Sequence, residues 1–129
     1  MGWEDCHEYG FDYTPLDGRG RKLQWRQIKS DDRSTTVVGD VLQHPDDAVV
    51  YTYDFGNNWQ HRIELERILP ASGEARYPHV IAGAGTCPPE DSGGVEAYER
   101  VLVRVERGPY DLDATNRALQ RPRRHAKAR

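Results

Sequence analysis

The chain has 129 residues, of which 36% are apolar and 30% are charged, and its formal net charge is −3. This length fits a single domain, and the low apolar share predicts a small core in a soluble protein. The sequence lacks an apolar run long enough for a membrane span or a secretory signal, so we expect a cytoplasmic protein with no membrane partner. The two cysteines, Cys6 and Cys87, have no Cys-x-x-Cys spacing. A disulfide framework and a four-cysteine zinc site are therefore excluded.

The charge is divided unevenly along the chain. Six of the 18 basic residues lie in 117–129, where there is no acid, so 1–116 carries 12 basic residues against 21 acidic ones. We therefore expect one acidic domain over 1–116 and a basic, disordered tail over 117–129. The tail offers weak, salt-dependent nucleic-acid binding through Arg121, Arg123, Arg124 and Lys127.

Periodicity predicts a small number of short elements. Apolar residues alternate with polar ones over 7–13, which indicates a first strand. The other predicted elements are a weaker strand over 22–28, a helical turn over 35–42, a helix over 95–106 and a short helix over 111–119 with Asp113 as one possible N-cap. Residues 70–94 are rich in glycine and proline and predict a long loop.

Residues 48–69 contain two alternating segments around Gly56-Asn57-Asn58, which predicts a hairpin. A three-residue loop pairs Phe55 with Trp59, Tyr53 with His61, Tyr51 with Ile63 and Val49 with Leu65, which places apolar partners on one face. Asn58 tolerates the left-handed conformation that the end of such a loop requires. The sequence therefore predicts an α+β fold with a small, mainly antiparallel sheet, a central hairpin at about 48–69 and one or two short helices toward the C-terminus.

Four segments together resemble the plasmid pRiA4b ORF-3-like family. They are the N-terminal MGWEDCHEYGFDY, the hairpin YTYDFGNNWQHRIELERILP, the loop YPHVIAGAGTCPPEDSGG and the late segment YDLDATNR. The resemblance implies a small α+β domain that occurs on plasmids, transposons and bacterial chromosomes.

The chain departs from that family pattern at several positions. Val80 and Ser92 stand where the family often has cysteine, so the resemblance brings no thiolate metal site, and we expect no cofactor. Asn57 replaces a frequent acid in the turn. Family members usually carry a further strand-rich segment and a helix upstream, so the chain resembles a trimmed member.

Six residues are candidates for function because they offer the groups used in acid–base, metal-binding or recognition chemistry. They are His7, Asp54, Trp59, His61, Glu90 and Asp91. Each also has a structural interpretation. His61 can hydrogen-bond the Tyr53 hydroxyl, Asp54 can bond the turn amides of Gly56 or Asn57, and the two later acids can cap the helix near Val95 or face water.

The sequence favours a non-catalytic protein over an enzyme, and two alternatives to this interpretation remain open. The favoured function is that of a non-catalytic interaction protein of a mobile element that binds another protein, for example as an acidic anti-defence inhibitor, or that completes its sheet in a homodimer. The first alternative is a metal-assisted hydrolase that uses His, Asp and Glu side chains. The second alternative is nucleic-acid binding through the basic tail.

Overall fold

The computed structural model describes residues 3–4, 6–14, 20–29, 33, 35–73, 76–102 and 109–120. Its elements are β1 (Tyr9–Tyr13), β2 (Arg26–Gln27), α1 (Val38–Val41), β3 (Ala48–Tyr53), β4 (Trp59–Glu64), α2 (Gly94–Leu102) and α3 (Leu112–Leu119). The strands form one antiparallel sheet in the order β2-β1-β3-β4. The predicted α+β class is confirmed. Within the described ranges, no helix has the length and apolar character to cross a membrane.

One face of the sheet is lined by rings, because alternate residues of three adjacent strands point the same way. We call this the aromatic face, and its members are Tyr9, Phe11, Tyr51, Tyr53, Trp59 and His61. Tyr51 lies at its centre, with ring centroids 5.0 Å from Phe11 and 5.4 Å from His61. Among the described residues the buried apolar core comprises only Ala48, Val49 and Tyr53. The small core that the composition predicts is therefore centred on β3.

The hairpin forms where it is predicted, but its register differs by two residues. Tyr53 pairs with Trp59, Tyr51 with His61 and Val49 with Ile63. Residues 54–58 form a five-residue turn because the Asp54 carbonyl accepts hydrogen bonds from the amides of Asn57 and Asn58, at 3.0 and 2.6 Å. A shift by two preserves the face of every side chain, so the apolar partners still share one face.

Two features of the turn bear on the other predictions for the hairpin. Asn58 has a φ of 53°, so the predicted left-handed residue is confirmed. Phe55 does not pair with Trp59; it lies in the turn, 48% exposed, with its ring beside Gly10. The turn begins at Asp54, so Phe55 lies beyond the end of β3.

The remaining elements differ from the predictions at their ends. The first strand begins at Tyr9 rather than at residue 7, and the second shrinks to Arg26–Gln27. Helix α1 is one turn within the predicted 35–42. Helix α2 begins at Gly94, and the part of its prediction beyond residue 102 lies outside the described residues. Asp111, and not Asp113, caps α3, because its carboxylate accepts the Ala114 amide at 2.7 Å.

Helix α3 holds the long loop that the sequence predicts. In the described part of 65–93 there is no helix or strand. The Asn116 side chain meets both backbone groups of Val80, accepting from its amide at 2.8 Å and donating to its carbonyl at 2.9 Å. The Gln120 side chain donates to the Pro78 carbonyl at 2.9 Å. These hydrogen bonds satisfy backbone groups of a loop that has no strand partner, and they hold the loop against α3.

Candidate functional site

Three separate segments bring titratable side chains together at one end of the sheet. The Nε2 atom of His7 lies 2.8 Å from Asp91 Oδ1, 3.8 Å from Glu90 Oε1 and 4.0 Å from Asp54 Oδ2. Cys6 Sγ lies 3.9 Å from Glu90 Oε1. We call these five residues the His7 cluster. It joins the N-terminal segment, the turn after β3 and the loop before α2.

Trp3 fastens the N-terminal segment to the rest of the site. Its indole stacks on the Tyr53 ring at 4.9 Å and lies 5.8 Å from the Trp59 ring. Its Nε1–H donates to the Pro88 carbonyl at 2.8 Å. One large side chain thus contacts two strands and the loop, and it fixes the path on which His7 lies four residues later.

Asp54 is oriented by the turn that it starts. Its carboxylate accepts the Asn57 amide at 3.2 Å and the Asn57 side-chain amide at 2.6 Å. The turn bond that the sequence predicts between Asp54 and Asn57 is therefore present. The same carboxylate also faces His7, since its Oδ2 atom lies 4.0 Å from His7 Nε2. The Asp54 side chain is only 12% exposed.

Glu90 is held by two donors from other segments. The Tyr53 hydroxyl donates to its Oε1 at 2.7 Å, and the Glu4 amide donates to its Oε2 at 2.9 Å. Tyr53 therefore bonds Glu90 rather than His61. His61 instead places its Nδ1 3.3 Å from the Tyr51 carbonyl. The difference follows from the hairpin register, which sets His61 opposite Tyr51 and leaves the Tyr53 hydroxyl free to reach the loop.

Backbone geometry keeps the two aspartates of the cluster close. Asp54 and Asp91 both have positive φ, 55° and 56°, a conformation that costs free energy in residues other than glycine and is held by surrounding contacts. Gly94, at the start of α2, has a φ of 80° and lies against the Asn57 carbonyl, 3.1 Å from the position of a Cβ atom. The turn and the loop therefore meet backbone to backbone.

Charge and hydrogen bonding shift the pKa values within the cluster. The hydrogen bond to Asp91 raises the pKa of His7. Desolvation opposes this rise, and the negative charges of Asp54, Asp91 and Glu90 add to it. The hydrogen bond from the Asn57 side chain lowers the pKa of Asp54. Burial and the bond to Glu90 raise the pKa of Tyr53 far above its usual value, so its hydroxyl remains a donor.

Four of the six candidate residues lie in this cluster: His7, Asp54, Glu90 and Asp91. Trp59 and His61 lie outside it, on the aromatic face behind Trp3. Neither acid caps α2 in the described contacts, and Glu90 is directed into the cluster. The tail residues Arg121, Arg123, Arg124 and Lys127 are outside the described part of the chain.

Three residues of the candidate site were not predicted from the sequence: Trp3, Cys6 and Tyr53. Their contacts to the loop span 37 to 85 positions in the sequence. The adjacency of Cys6 to His7 is the one local signal that was available. Cys87 lies outside the cluster, and desolvation raises the pKa of its thiol, which disfavours the reactive thiolate.

The donor set suits a divalent cation. Two groups of three, Cys6 with His7 and Glu90, and His7 with Asp54 and Asp91, each place their ligand atoms within 4.8 Å of one another. Imidazole nitrogen, carboxylate oxygen and thiolate sulfur are the ligands of zinc and related transition metals. The side chain of Asp91 is 71% exposed, whereas that of Asp54 is 12% exposed. One side of the cluster is therefore open to solvent.

Fold and site define a small α+β domain with a histidine–carboxylate cluster at one end of an antiparallel sheet. The chain belongs to the plasmid pRiA4b ORF-3-like protein family, whose model matches residues 1–120.

Two similar proteins each match most of this chain but only about half of their own length. The uncharacterized protein y4hQ of Sinorhizobium fredii is 33% identical over 99 residues, which are 77% of this chain and 50% of y4hQ. The crystal structure of MM3350, a protein of unknown function from Methanosarcina mazei Go1, is similar with a TM-score of 0.65 and 33% identity. That similarity covers 78% of this chain and 58% of MM3350. The chain thus spans about half the length of y4hQ and 58% of the length of MM3350.

Proposed function

We propose that this protein is a metal-assisted hydrolase whose divalent cation binds at the His7 cluster. The observation that supports this most directly is the convergence on the His7 imidazole of three carboxylates from two segments distant in sequence. Isolated exposed acids on one side of the molecule would instead favour a charged docking surface. A site with an imidazole, several carboxylates and an opening to solvent is the arrangement that metal-assisted hydrolysis needs.

The contacts of each cluster residue indicate its role in the proposed reaction. The His7 cluster would hold the cation, which would supply a bound water with a pKa lowered toward neutrality and so hydroxide as a nucleophile. Asp91 is the most exposed carboxylate, so it is placed to accept the water proton at the open side. Hydrogen bonds from Asn57 and from Tyr53 hold the carboxylates of Asp54 and Glu90 in place beside His7.

We expect Zn²⁺ or Mn²⁺ to bind with one-to-one stoichiometry in calorimetry and to raise the melting temperature. Replacing His7 with glutamine should weaken binding by at least about 100-fold, since the central ligand is lost. The matched control is His44→Gln, because His44 also lies near a carboxylate, 3.7 Å from Asp47, but outside the cluster. Binding should strengthen as pH rises and His7 loses its proton.

Activity is tested with the metal-loaded protein on phosphomonoester, phosphodiester, carboxylic ester and peptide substrates. A hydrolytic rate that disappears in His7→Gln and persists in His44→Gln supports the proposal. Equal metal affinity in the wild type and in His7→Gln contradicts it, as does tight binding without hydrolysis of any of these classes.

The second candidate function is that of an interaction protein that completes its sheet in a homodimer, and the exposed edge of β4 favours it. Among the described strands, β4 pairs on one side only, with β3. Ile63 on this strand is 45% exposed. Two copies of β4 paired antiparallel about Ile63 would set Arg62 of each copy opposite Glu64 of the other, which would extend the Arg62–Glu64 ion pair within each copy, at 2.8 Å, into a cross-strand network.

Light scattering should then give twice the chain mass, and Ile63→Lys should return the protein to a monomer. Arg26→Lys is the control, since Arg26 lies on the opposite edge strand. A wild-type protein that stays monomeric at high concentration contradicts this candidate.

A further inference from the structure

Cys6 differs from the other members of the His7 cluster because it is the only sulfur ligand that lies there among the described residues. Its Sγ is 3.9 Å from Glu90 Oε1, and that oxygen is 3.8 Å from His7 Nε2. Ligand atoms on a tetrahedron around zinc are roughly 3.3–3.6 Å apart, given bonds of about 2.0–2.3 Å. These two separations therefore need to shorten by only about half an ångström or less for the atoms to share one ion, and all three atoms lie within 4.8 Å of one another.

We propose that Cys6, His7 and Glu90 form the ligand set and that the site selects zinc-like cations over Mg²⁺ and Mn²⁺. This inference rests on the proposed function, because it specifies the ion of the same site. Three protein ligands with the fourth position open is the pattern of catalytic zinc sites. A thiolate ligand favours zinc and cobalt over the harder cations, which prefer oxygen donors alone.

The surroundings of Glu90 favour this set over the alternative one of His7, Asp54 and Asp91. Tyr53 and the Glu4 amide each donate to Glu90 from outside the set and fix the oxygen that faces Cys6 and His7. Such donors orient a carboxylate ligand and hold it in place. In the alternative set, the Asp54 carboxylate is held only from within its own turn, by the Asn57 amide and side chain.

The roles of the remaining carboxylates follow from this choice. If Cys6, His7 and Glu90 held the ion, His7 Nε2 would give up its 2.8 Å hydrogen bond to Asp91, and the Asp91 carboxylate would remain outside the ligand set. The Cys6 thiol gives up its proton to solvent when the ion binds, as metal–thiolate formation requires. Zinc binding should therefore release protons to the buffer.

The experiment uses Co²⁺ as a spectroscopic probe of the full-length protein. A cobalt–thiolate bond gives a charge-transfer band in the near ultraviolet, and the band should appear at one equivalent of Co²⁺. Cys6→Ser should abolish the band and weaken Zn²⁺ binding by roughly 10–100-fold or more, while Mn²⁺ binding changes little. Cys87→Ser is the matched control and should keep the band. Circular dichroism of each variant verifies folding.

The outcomes separate this inference from the proposed function. Co²⁺ binding by calorimetry without a thiolate band, with equal Zn²⁺ affinity in Cys6→Ser and the wild type, overturns the role of Cys6 and leaves the His7 site intact. Equal or tighter binding of Mn²⁺ than of Zn²⁺ overturns the selectivity. Failure of every cation to bind overturns both proposals.

Discussion

Tyr53→Ala is expected to lower the melting temperature by roughly 10 °C or more, in line with the loss of a core aromatic side chain from a domain of this size. Tyr53 is only 2% exposed and is one of the three buried apolar residues described. Its ring stacks on Trp3 and lies 5.7 Å from the His7 ring. The truncation therefore leaves a cavity beneath the segment that carries the site, which a thermal melt at fixed pH detects.

The matched variant is Tyr53→Phe, which keeps the ring and removes the hydroxyl. We expect its melting temperature to stay close to that of the wild type. Its metal affinity should fall by about 10-fold, because Glu90 loses the donor that orients it. Similar melting curves for Tyr53→Ala and the wild type would show that β3 does not carry the core. Unchanged metal affinity in Tyr53→Phe would show that the hydroxyl does not position Glu90.

Gly94→Ala is expected to destabilise the protein by about 1–3 kcal/mol, measured by urea unfolding. Gly94 is buried and has a φ of 80°, and a Cβ atom there would lie 3.1 Å from the Asn57 carbonyl oxygen. That oxygen belongs to the backbone of a tight turn, so moving it would break turn hydrogen bonds and cost free energy. The substitution should also push the turn away from the loop that carries Glu90, which would disturb the proposed ligand set and lower metal affinity.

Gly39→Ala is the control for that variant. Gly39 lies in α1, and a Cβ atom there would meet nothing within 4 Å. Alanine favours helix over glycine, so this change should be neutral or stabilising by roughly 0.5–1 kcal/mol. If Gly94→Ala unfolds at the same urea concentration as the wild type, the contact between the turn and α2 does not hold the site.

The hairpin shows how far sequence reasoning reaches. Alternation assigns Tyr51, Tyr53, Trp59 and His61 to one face, and the structure agrees. The register cannot be read in the same way, since a shift by two residues keeps every side chain on its face. Hydrogen bonds to the Asp54 carbonyl decided between the two registers, and they depend on the conformation of the turn.

The candidate site shows a second limit. His7, Asp54, Glu90 and Asp91 were recognised by their chemistry and by the motifs in which they stand, but their spacing in sequence says nothing about distance in space. Glu90 and Asp91 had an equally simple interpretation as helix caps or solvated acids. The position of Glu90 and Asp91 in the cluster depends on Trp3 and Tyr53, because their long-range hydrogen bonds bring the loop to the end of the sheet.

Local periodicity, turn chemistry and motifs are enough to assign the fold class, the central hairpin, the face of each strand residue and the family of the chain. The hairpin register and the cluster of Cys6, His7, Asp54, Glu90 and Asp91 follow instead from contacts in the folded chain. The cluster depends on the stacking of Trp3 on Tyr53 and on the close approach of Gly94 to Asn57. Both are contacts between segments far apart in the chain, and local patterns carry no record of them.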